Sequence, residues 1–362
     1  MNFGFDEDQE ALREAAEKLL AAESGLALTR IALEDPDAWR PLWDTIVEQG
    51  WPSLAVPEAL GGLGRGVVDL VALAEVTGRW TLPVPFMSTA GLAGPVLAAA
   101  GADDALARLA DGAVTTLAVT EPGGRNDDPA AGVTWDGHML RGAKRFVPDA
   151  KRAETLVVVA SGPTGAVVAV VPAAAEGVRI EPTHAADPSR PLADVHLEIA
   201  LPAAAVTEAD PGPGLHAAWT VLAAELVGVA DRILAMTVDH AMTRTQFDQP
   251  IGAFQAVKHR LADLYIAVER ARTLTYNAAM VLDDPLTPPS RSGQAASLAK
   301  AAASETAVSA AKTGIQLHGA IAITWEHDLH LLGRRARQAS LALGDHLFHY
   351  RRAAQASLAQ SR

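Results

Sequence analysis

The sequence predicts an α+β protein of several domains, because the spacing of its apolar residues changes twice along the chain. Apolar residues recur at helical spacing through roughly the first hundred residues. Short β-branched runs separated by turn signals follow over about 95 residues. Helical spacing then returns in runs longer than an average helix. We therefore expect an N-terminal helical domain over 1–113, a middle β-barrel or sandwich over 114–211 and a C-terminal helical bundle over 212–362.

The N-terminal part is predicted to contain four helices. The first begins with acidic residues, which the positive end of the helix dipole stabilises, and it carries leucines on one face. A loop rich in proline and glycine, G-W-P-S-L-A-V-P-E-A-L-G-G-L-G, separates the second helix from the third. The predicted bounds are Asp6–Ala22, Trp39–Gln49, Val67–Thr77 and Ser88–Ala100.

The middle part is predicted to be β-structure. Its apolar runs are short and rich in valine, and turn pairs such as Asp136-Gly137 and Glu176-Gly177 lie between them. The predicted strands are 114–120, 138–142, 155–160, 166–172 and 195–199.

The C-terminal part is predicted to be a bundle of long antiparallel helices over Leu215–Arg244, Phe254–Val281, Arg291–Leu317 and Leu332–Leu358. Pro250 and Gly252 mark a turn between the first two. Polar residues crowd this turn and the start of the next helix. Since a helix N-terminus beside an arginine attracts anions, the turn is either an anion-binding site or an ordinary solvated turn. The polar residues are Arg244, Gln255, Lys258, His259 and Arg260.

Composition excludes several functions. The absence of cysteine excludes disulfides, thiolate catalysis and cysteine-ligated metals. A net charge of −13 without a basic stretch argues against nucleic-acid binding. No apolar run reaches the roughly 18 residues of a membrane span, and the chain starts directly with an acidic helix, so a cytoplasmic location is expected. His318 and His330 lack a third ligand at suitable spacing, so no metal is expected.

Three segments carry a resemblance to a known family. They are A-V-T-E-P-G-G-R-N-D (118–127), R-T-Q-F-D-Q-P-I-G-A-F-Q (244–255) and I-Q-L-H-G-A-I-A-I-T-W-E-H-D-L-H (315–330). They occur in the order and with the letters typical of the acyl-CoA dehydrogenase family, which the chain resembles over essentially its whole length. The resemblance implies an N-terminal helical domain, a middle β-domain and a C-terminal four-helix bundle.

The resemblance also implies FAD as the cofactor and the α,β-desaturation of an acyl-CoA. In the family a carboxylate removes the α-proton, and donors near the thioester stabilise the charge that develops. The segment from Ile315 reaches FAD from a neighbouring subunit, which implies an oligomer. Asn126 stands where the family has a serine near the thioester and is the implied substrate-binding residue. The implied FAD-binding residues are Arg244, Phe247, Gln255, Gln316, Gly319, Val119 and Thr120.

The sequence departs from the family at the catalytic end. Of the two positions where the family carries its base, one holds Leu343 and the other Ala218, and neither side chain accepts a proton. The nearest carboxylates are Asp345 and Glu225. On a continuous helix Asp345 would point about 200° away from Leu343, and Glu225 would lie roughly 10 Å along the axis from Ala218.

Other positions near the flavin differ as well. Phe146 and Pro148 replace a Trp and a Thr that pack on the ring, and Pro148 has neither a hydroxyl nor an N–H to offer. Ala320 and Ala322 replace glycines of the segment that reaches the neighbouring subunit.

Three hypotheses follow. The chain is the non-catalytic, β-type subunit of an α2β2 acyl-CoA dehydrogenase, similar to actinobacterial heterotetramers acting on steroid side-chain CoA thioesters. Alternatively it is a self-sufficient, homo-oligomeric FAD-dependent dehydrogenase with an unusual base. The third hypothesis is a flavin-free scaffold or acyl-CoA-binding protein.

Overall fold

The structure is a computed structural model that describes residues 4–23, 25–123, 126 and 130–360. Within these residues helices come first, a β-sheet follows, and long helices end the chain, as the sequence predicts. Gly124, Arg125 and Asp127 of the 118–127 segment lie outside the described residues. The exact domain boundaries at 113 and 211 stay predictions.

The N-terminal helices include the four predicted ones and two more, α2 and α6. The predicted helix over Ser88–Ala100 divides into a π-helical stretch, Met87–Ala93, and a short α-helix. Pro95 has no N–H to donate to the preceding turn, which favours the wider π-helical spacing before it. The helices are α1 (Glu7–Glu23), α2 (Gly25–Ala32), α3 (Arg40–Glu48), α4 (Val67–Arg79), α5 (Gly94–Ala100) and α6 (Asp103–Ala110).

The middle sheet has the order β6-β7-β3-β2-β4-β5-β8, with β1 parallel to β4. All five predicted strands are present. Pattern reading missed β2 and β8, which have three residues each, and β6, whose side chains are largely solvent-accessible. The strands are β1 (Thr115–Ala118), β2 (Val133–Trp135), β3 (Met139–Pro148), β4 (Thr155–Ser161), β5 (Ala166–Pro172), β6 (Val178–Thr183), β7 (Leu192–Ala200) and β8 (Val206–Glu208).

The C-terminal helices pack around α7, which is buried along most of its length. Glycines let α4 cross α7 closely: a Cβ on Gly78 would overlap the carbonyl of Glu225, and one on Gly228 would overlap that of Glu75. This crossing joins the N-terminal helices to the bundle. The helices are α7 (Gly212–Thr243), α8 (Gln255–Asp283), α9 (Pro289–His318), α10 (Leu329–Leu341) and α11 (His346–Gln360).

The predicted last helix, 332–358, is wrong as a single element. It ends after Leu341 and restarts at His346. Leu343 and Gly344 adopt left-handed φ values of 57° and 106°, which end a helix. Asp345 then caps α11, because its Oδ1 accepts the backbone N–H of Phe348 at 2.8 Å.

The predicted turn between α7 and α8 is a small hairpin of β9 (Thr245–Gln246) and β10 (Gln249–Pro250). Phe247 and Asp248 form its tip with φ of 53° and 62°. The tip residues project from the end of the bundle, and the Phe247 side chain is 86% exposed.

Candidate functional site

A cleft of about 610 Å³ lies between the sheet and the linker that joins α10 to α11. Val119 and Thr120, which directly follow β1, line the cleft, and β3 contributes Phe146 and Pro148. Leu343 lines the cleft from the linker. The volume of the cleft is within the range of small-molecule and cofactor sites.

The cleft brings together several residues that the sequence predicted. Val119, Thr120 and Asn126 line one wall, and Asp345 lies on the other side with Leu343. The Thr120 hydroxyl donates a hydrogen bond to Asn126 Oδ1 at 3.2 Å. The residues implied to lie near the flavin ring and the thioester therefore share one cavity.

A bulge in β3 positions Phe146 at the cleft. The pairing register with β7 shifts between Lys144 and Val147, and Phe146 has a left-handed φ of 54°. Its backbone N–H donates to Asp194 Oδ1 at 3.2 Å. Arg145 forms an ion pair with the same carboxylate at 2.7 Å, and its guanidinium lies 5.5 Å from the centre of the Phe146 ring. These contacts hold a strained residue where the family places an aromatic side chain.

Cations outnumber acids on the cleft wall. Arg337 and Arg351 line it, and Asp345 is a carboxylate among the lining residues. Arg145 and Arg190 also line it, but their guanidinium groups are paired with Asp194 and Glu225. The chain as a whole is acidic, so this local positive charge favours a ligand with anionic groups.

Neither of the family's base positions offers a proton acceptor in the structure. Leu343 and Ala218 are both buried. Because the linker is not helical, the argument that Asp345 points 200° away from Leu343 is wrong: Asp345 does line the cleft. However, one of its carboxylate oxygens caps α11.

Glu225 lies in a buried ion-pair network instead of the cleft wall. It accepts hydrogen bonds from Arg190 Nη1 at 2.8 Å and from Arg335 Nη1 at 2.9 Å, and Arg335 also pairs with Asp187. Burial raises the pKa of Glu225, but the two guanidinium groups outweigh burial and lower it. A carboxylate held ionised by two arginines is suited to joining the sheet to the bundle and is a poor proton acceptor.

The residues implied to hold the diphosphate end of FAD lie apart from the cleft. Arg244, Phe247 and Gln255 are exposed around the α7–α8 hairpin, and Gln316 and Gly319 are exposed at the end of α9. The cleft wall contains none of these five residues.

These five residues, called the anchor residues below, form two groups that lie close together at the end of the bundle. One group is at the α7–α8 hairpin and the other is at the end of α9. The ring of His240 on α7 stacks on that of His318 on α9, with centres 4.2 Å apart. Exposed apolar side chains lie beside both groups: Phe247 is at the tip of the hairpin, and Ile323 and Trp325 follow the end of α9. A surface of this kind is typical of a contact with another chain.

Two buried donors below the cleft were missed by the sequence analysis. Lys300 of α9 donates a hydrogen bond to the carbonyl of Gly344 at 3.3 Å. The neutral ring of His349 donates through Nε2 to the carbonyl of Leu343 at 3.1 Å. The available signal was a lysine inside the alanine-rich run S-L-A-K-A-A-A-S, which places a charge on a buried helix face.

A smaller cavity of about 240 Å³ adjoins the cleft. Its wall includes His216 and Trp219 of α7 and Arg352 of α11. Burial, together with the charge of Arg352, lowers the pKa of His216 to about 4, so this imidazole is neutral at physiological pH. The Arg352 guanidinium stands 5.1 Å from the centre of the Trp219 ring.

Two further features bear on function. Across the described ranges, no three or more His, Cys, Asp or Glu side chains are grouped so that they could hold a metal ion. In the same part of the chain, every helix is too short or too polar to cross a bilayer.

Comparison with known proteins gives a consistent result. Family models described as the N-terminal and C-terminal domains of acyl-CoA dehydrogenase match residues 6–115 and 214–358. The acyl-CoA dehydrogenase IpdE2 of Mycobacterium tuberculosis is 34% identical over 343 residues, 93% of each chain. FadE27 of the same organism, also an acyl-CoA dehydrogenase, is 34% identical over 84% of each chain.

Solved structures agree over the full length. A chain of the ChsE4–ChsE5 complex from Mycobacterium tuberculosis superposes with a TM-score of 0.88 at 27% identity, covering 100% of both chains. A chain of the Tcur3481–Tcur3483 steroid ACAD superposes with a TM-score of 0.87 at 29% identity, covering 98% of this chain and 99% of that one.

Proposed function

The chain belongs to the acyl-CoA dehydrogenase family of oxidoreductases, and we propose that it is the non-catalytic subunit of a heteromeric, FAD-dependent member. A paralogous chain supplies the catalytic base. The assembly desaturates an acyl-CoA thioester at its α and β carbons, and steroid side-chain CoA thioesters are the proposed substrate class. The name of the Tcur3481–Tcur3483 steroid ACAD supports that class, and this name and that of the ChsE4–ChsE5 complex support the heteromeric assembly.

The observation that carries the proposal of a non-catalytic chain is the buried pair of apolar residues, Leu343 and Ala218, at the family's two base positions. A flavin site shared between chains is supported by a second observation: the anchor residues and the cleft lie on different parts of the surface. Arg244, Gln316 and Gly319 are exposed at the end of the bundle, whereas Val119 and Thr120 lie inside the cleft. One FAD molecule bound within a single chain would have to contact both the end of the bundle and the inside of the cleft, which are separate regions of the surface. The anchors are therefore assigned to a flavin whose ring lies in the partner subunit.

The residues at the anchor surface fit the diphosphate end of FAD. Arg244 presents an exposed guanidinium, which binds phosphate oxygens through paired N–H groups. α8 begins at Gln255 without a hydrogen bond from a capping side chain, and the positive end of its helix dipole favours an anion there. At Gly319, with φ of 70°, a Cβ would meet nothing within 4 Å, so the backbone there is open to a close approach.

The cleft of this chain fits the catalytic role poorly. When bound, FAD would supply a hydride acceptor for the β-carbon of the substrate. The α-proton must then be removed by a nearby base. Leu343 offers no acceptor, Asp345 caps α11, and Pro148 has no donor for the ring. These three positions favour an assembly in which this chain binds and positions FAD while its partner removes the proton.

The self-sufficient alternative has one observation in its favour. Asp345 lines the cleft beside Leu343 and is half-buried, so a carboxylate is present near the family's base position. The third hypothesis, a flavin-free scaffold, shares the separated anchors and cleft but assigns no ligand to Arg244. A cytoplasmic location stays a prediction.

Purification of the chain alone and together with a paralogous acyl-CoA dehydrogenase tests the proposal. We expect a colourless chain alone, and a yellow complex that reduces an electron-accepting dye in the presence of an acyl-CoA. A yellow homo-oligomer that is active alone would contradict the proposal and support a base within this chain. A complex that forms but contains no flavin would support the scaffold.

A further inference from the structure

Three histidine rings meet at the end of the bundle, beside the anchor residues. The ring of His318 contacts those of His240 and His327, with ring centres 4.2 Å and 4.7 Å apart. His240 belongs to α7, His318 ends α9, and His327 lies in the segment of residues 319–328 that joins α9 to α10. The backbone N–H of Arg244 bonds to the carbonyl of His240, and Gly319 directly follows His318. This histidine cluster therefore connects the two groups of anchor residues.

One nitrogen of the cluster must be free of a proton. The Nδ1 atom of His327 accepts a hydrogen bond from the backbone N–H of Leu329, the first residue of α10, at 3.1 Å. The bond satisfies one of the N–H groups that the start of a helix leaves free, so the His327 ring caps α10. An imidazole nitrogen that carries a proton cannot accept this bond. Its positive charge would also lie at the positive end of the helix dipole.

The capped end of α10 packs on the rest of the cluster. Leu329 is fully buried, and a Cβ on Gly314 of α9 would overlap its Cδ1 atom. The carbonyl of the same Gly314 accepts a hydrogen bond from His318 Nδ1 at 2.9 Å. A shift of Leu329 would therefore disturb both His318 and the end of α9.

A second contact holds the 319–328 segment. Arg30 of α2 donates hydrogen bonds to the Trp325 carbonyl and, at 2.7 Å, to Asp328 Oδ1. An arginine side chain stays protonated in proteins. Of the two contacts, the one made by His327 is therefore the one that changes in the pH range where histidines titrate.

Charged groups from several elements surround the cluster. Asp328 is paired with Arg30, and Glu326 bonds to Thr324. Burial lowers the pKa of both His240 and His318, and nearby positive charges add to this at His240. These two rings therefore stay neutral at a pH at which an ordinary imidazole is half protonated. The charged or titratable groups of the packed elements are Arg30 on α2, Asp239 and Arg244 at the end of α7, Glu326 and Asp328 in the 319–328 segment, and His330 and Arg334 on α10.

We propose that His327 is a positioning residue of the anchor surface and acts as a neutral ring. Its cap on α10 holds the 319–328 segment where Gly319 meets the diphosphate end of FAD, and a proton on Nδ1 releases the segment. FAD binding by the heteromeric complex therefore weakens on acidification. The choice of FAD as the ligand rests on the proposed function, whereas the proton-dependent cap is a property of this chain alone.

The affinity of the complex for FAD, measured by flavin fluorescence between about pH 7.5 and about pH 5.5, tests the positioning role. One pH unit below the midpoint of a single-proton titration, protonated rings outnumber neutral ones about tenfold, so the affinity should fall by up to about tenfold there. His327→Asn should lose this pH dependence, because its amide oxygen is an acceptor that takes up no proton. His327→Ala, which has no acceptor, should bind FAD more weakly at every pH.

His138→Asn is the matched control, because His138 is an exposed histidine between β2 and β3, and it should behave as the wild type does. The same pH dependence in the wild type and in His327→Asn would overturn the assignment. Tighter FAD binding at low pH would overturn it as well, since attraction between the added positive charge and the diphosphate would then outweigh loss of the cap.

Hydrogen exchange of the isolated full-length chain tests the cap without flavin or a partner. Mass spectrometry follows the peptide that spans the start of α10 over the same pH range, with correction for the intrinsic effect of pH on exchange. Protection should fall on acidification in the wild type and stay constant in His327→Asn. His327→Ser provides a second cap that does not titrate, in case the asparagine variant folds poorly.

The two measurements separate this role from the proposed function. Wild-type protection that does not change with pH would overturn the role of His327, whatever the complex binds. A cap that weakens on acidification, in a chain whose complex contains no flavin, would refute the proposed function while supporting the proton-dependent cap.

Discussion

Replacing Glu225 by Gln removes the negative charge that two buried guanidinium groups share. Glu225 and Arg335 are fully buried, and Arg190 is nearly so. At an effective dielectric constant of about 20, two unit charges 4 Å apart attract by about 4 kcal/mol. The two pairs together therefore give about 8 kcal/mol, offset by several kcal/mol for desolvating the carboxylate. We expect Glu225→Gln to lower the free energy of unfolding by about 3–5 kcal/mol.

Denaturation by urea, followed by far-UV circular dichroism, measures this loss. Glu305→Gln is the matched control, because Glu305 is an exposed residue of α9 whose ion pair with Arg270 spans 4.0 Å. The control should change stability by less than about 1 kcal/mol. A Glu225→Gln protein with wild-type stability would refute the assignment of Glu225 to the network. Normal stability combined with lost dehydrogenase activity would indicate that Glu225 acts as a base.

Three further predictions follow from buried or altered positions. Burial lowers the pKa of Lys300 from its usual 10.5 to about 7, so between these pH values the unfolded state binds more protons than the folded state. The free energy of unfolding therefore rises with pH across that window, by up to about 1.4 kcal/mol per pH unit. Lys300→Met should remove this contribution, as measured by denaturation at pH 7 to 10. Gly228→Ala should destabilise by at least about 1–3 kcal/mol in thermal unfolding, because its Cβ would overlap the Glu75 carbonyl, and an unchanged melting temperature would contradict the close crossing. Leu343→Glu should not restore turnover by the isolated chain in a dye-reduction assay, because Asn126 and Pro148 also differ from the family's pattern.

The order of the fold follows from apolar spacing because each period persists over many residues. The long helices α7, α8 and α9 begin and end within a few residues of their predicted bounds. Short elements escaped prediction, since a strand such as β2 has three residues and carries almost no periodic signal. The break after α10 has no signal in the apolar spacing, because leucine rarely adopts a positive φ and the leucines of L-A-L-G-D continue the helical pattern. The local signals for the break are Gly344, which ends a helix, and Asp345, which starts one.

The candidate site was predictable where it depends on motif letters and unpredictable where it depends on long-range contacts. The family's segments led to Val119, Thr120 and Asn126, which meet in the cleft. No local pattern could place Glu225 between two arginines, because Arg190 lies 35 residues before it and Arg335 lies 110 residues after it. The role of Lys300 depends in the same way on contacts with a linker about forty residues away.

The flavin content of the heteromeric complex carrying Arg244→Ala in this chain tests the central claim most directly. Arg270→Ala, which changes an exposed arginine of α8, is the control. Flavin absorbance per complex is measured after gel filtration, with the partner left unchanged. If this chain holds the diphosphate end of a flavin seated in its partner, Arg244→Ala lowers the flavin content while the complex stays assembled and the control stays yellow. Full flavin content in the Arg244→Ala complex would contradict the claim.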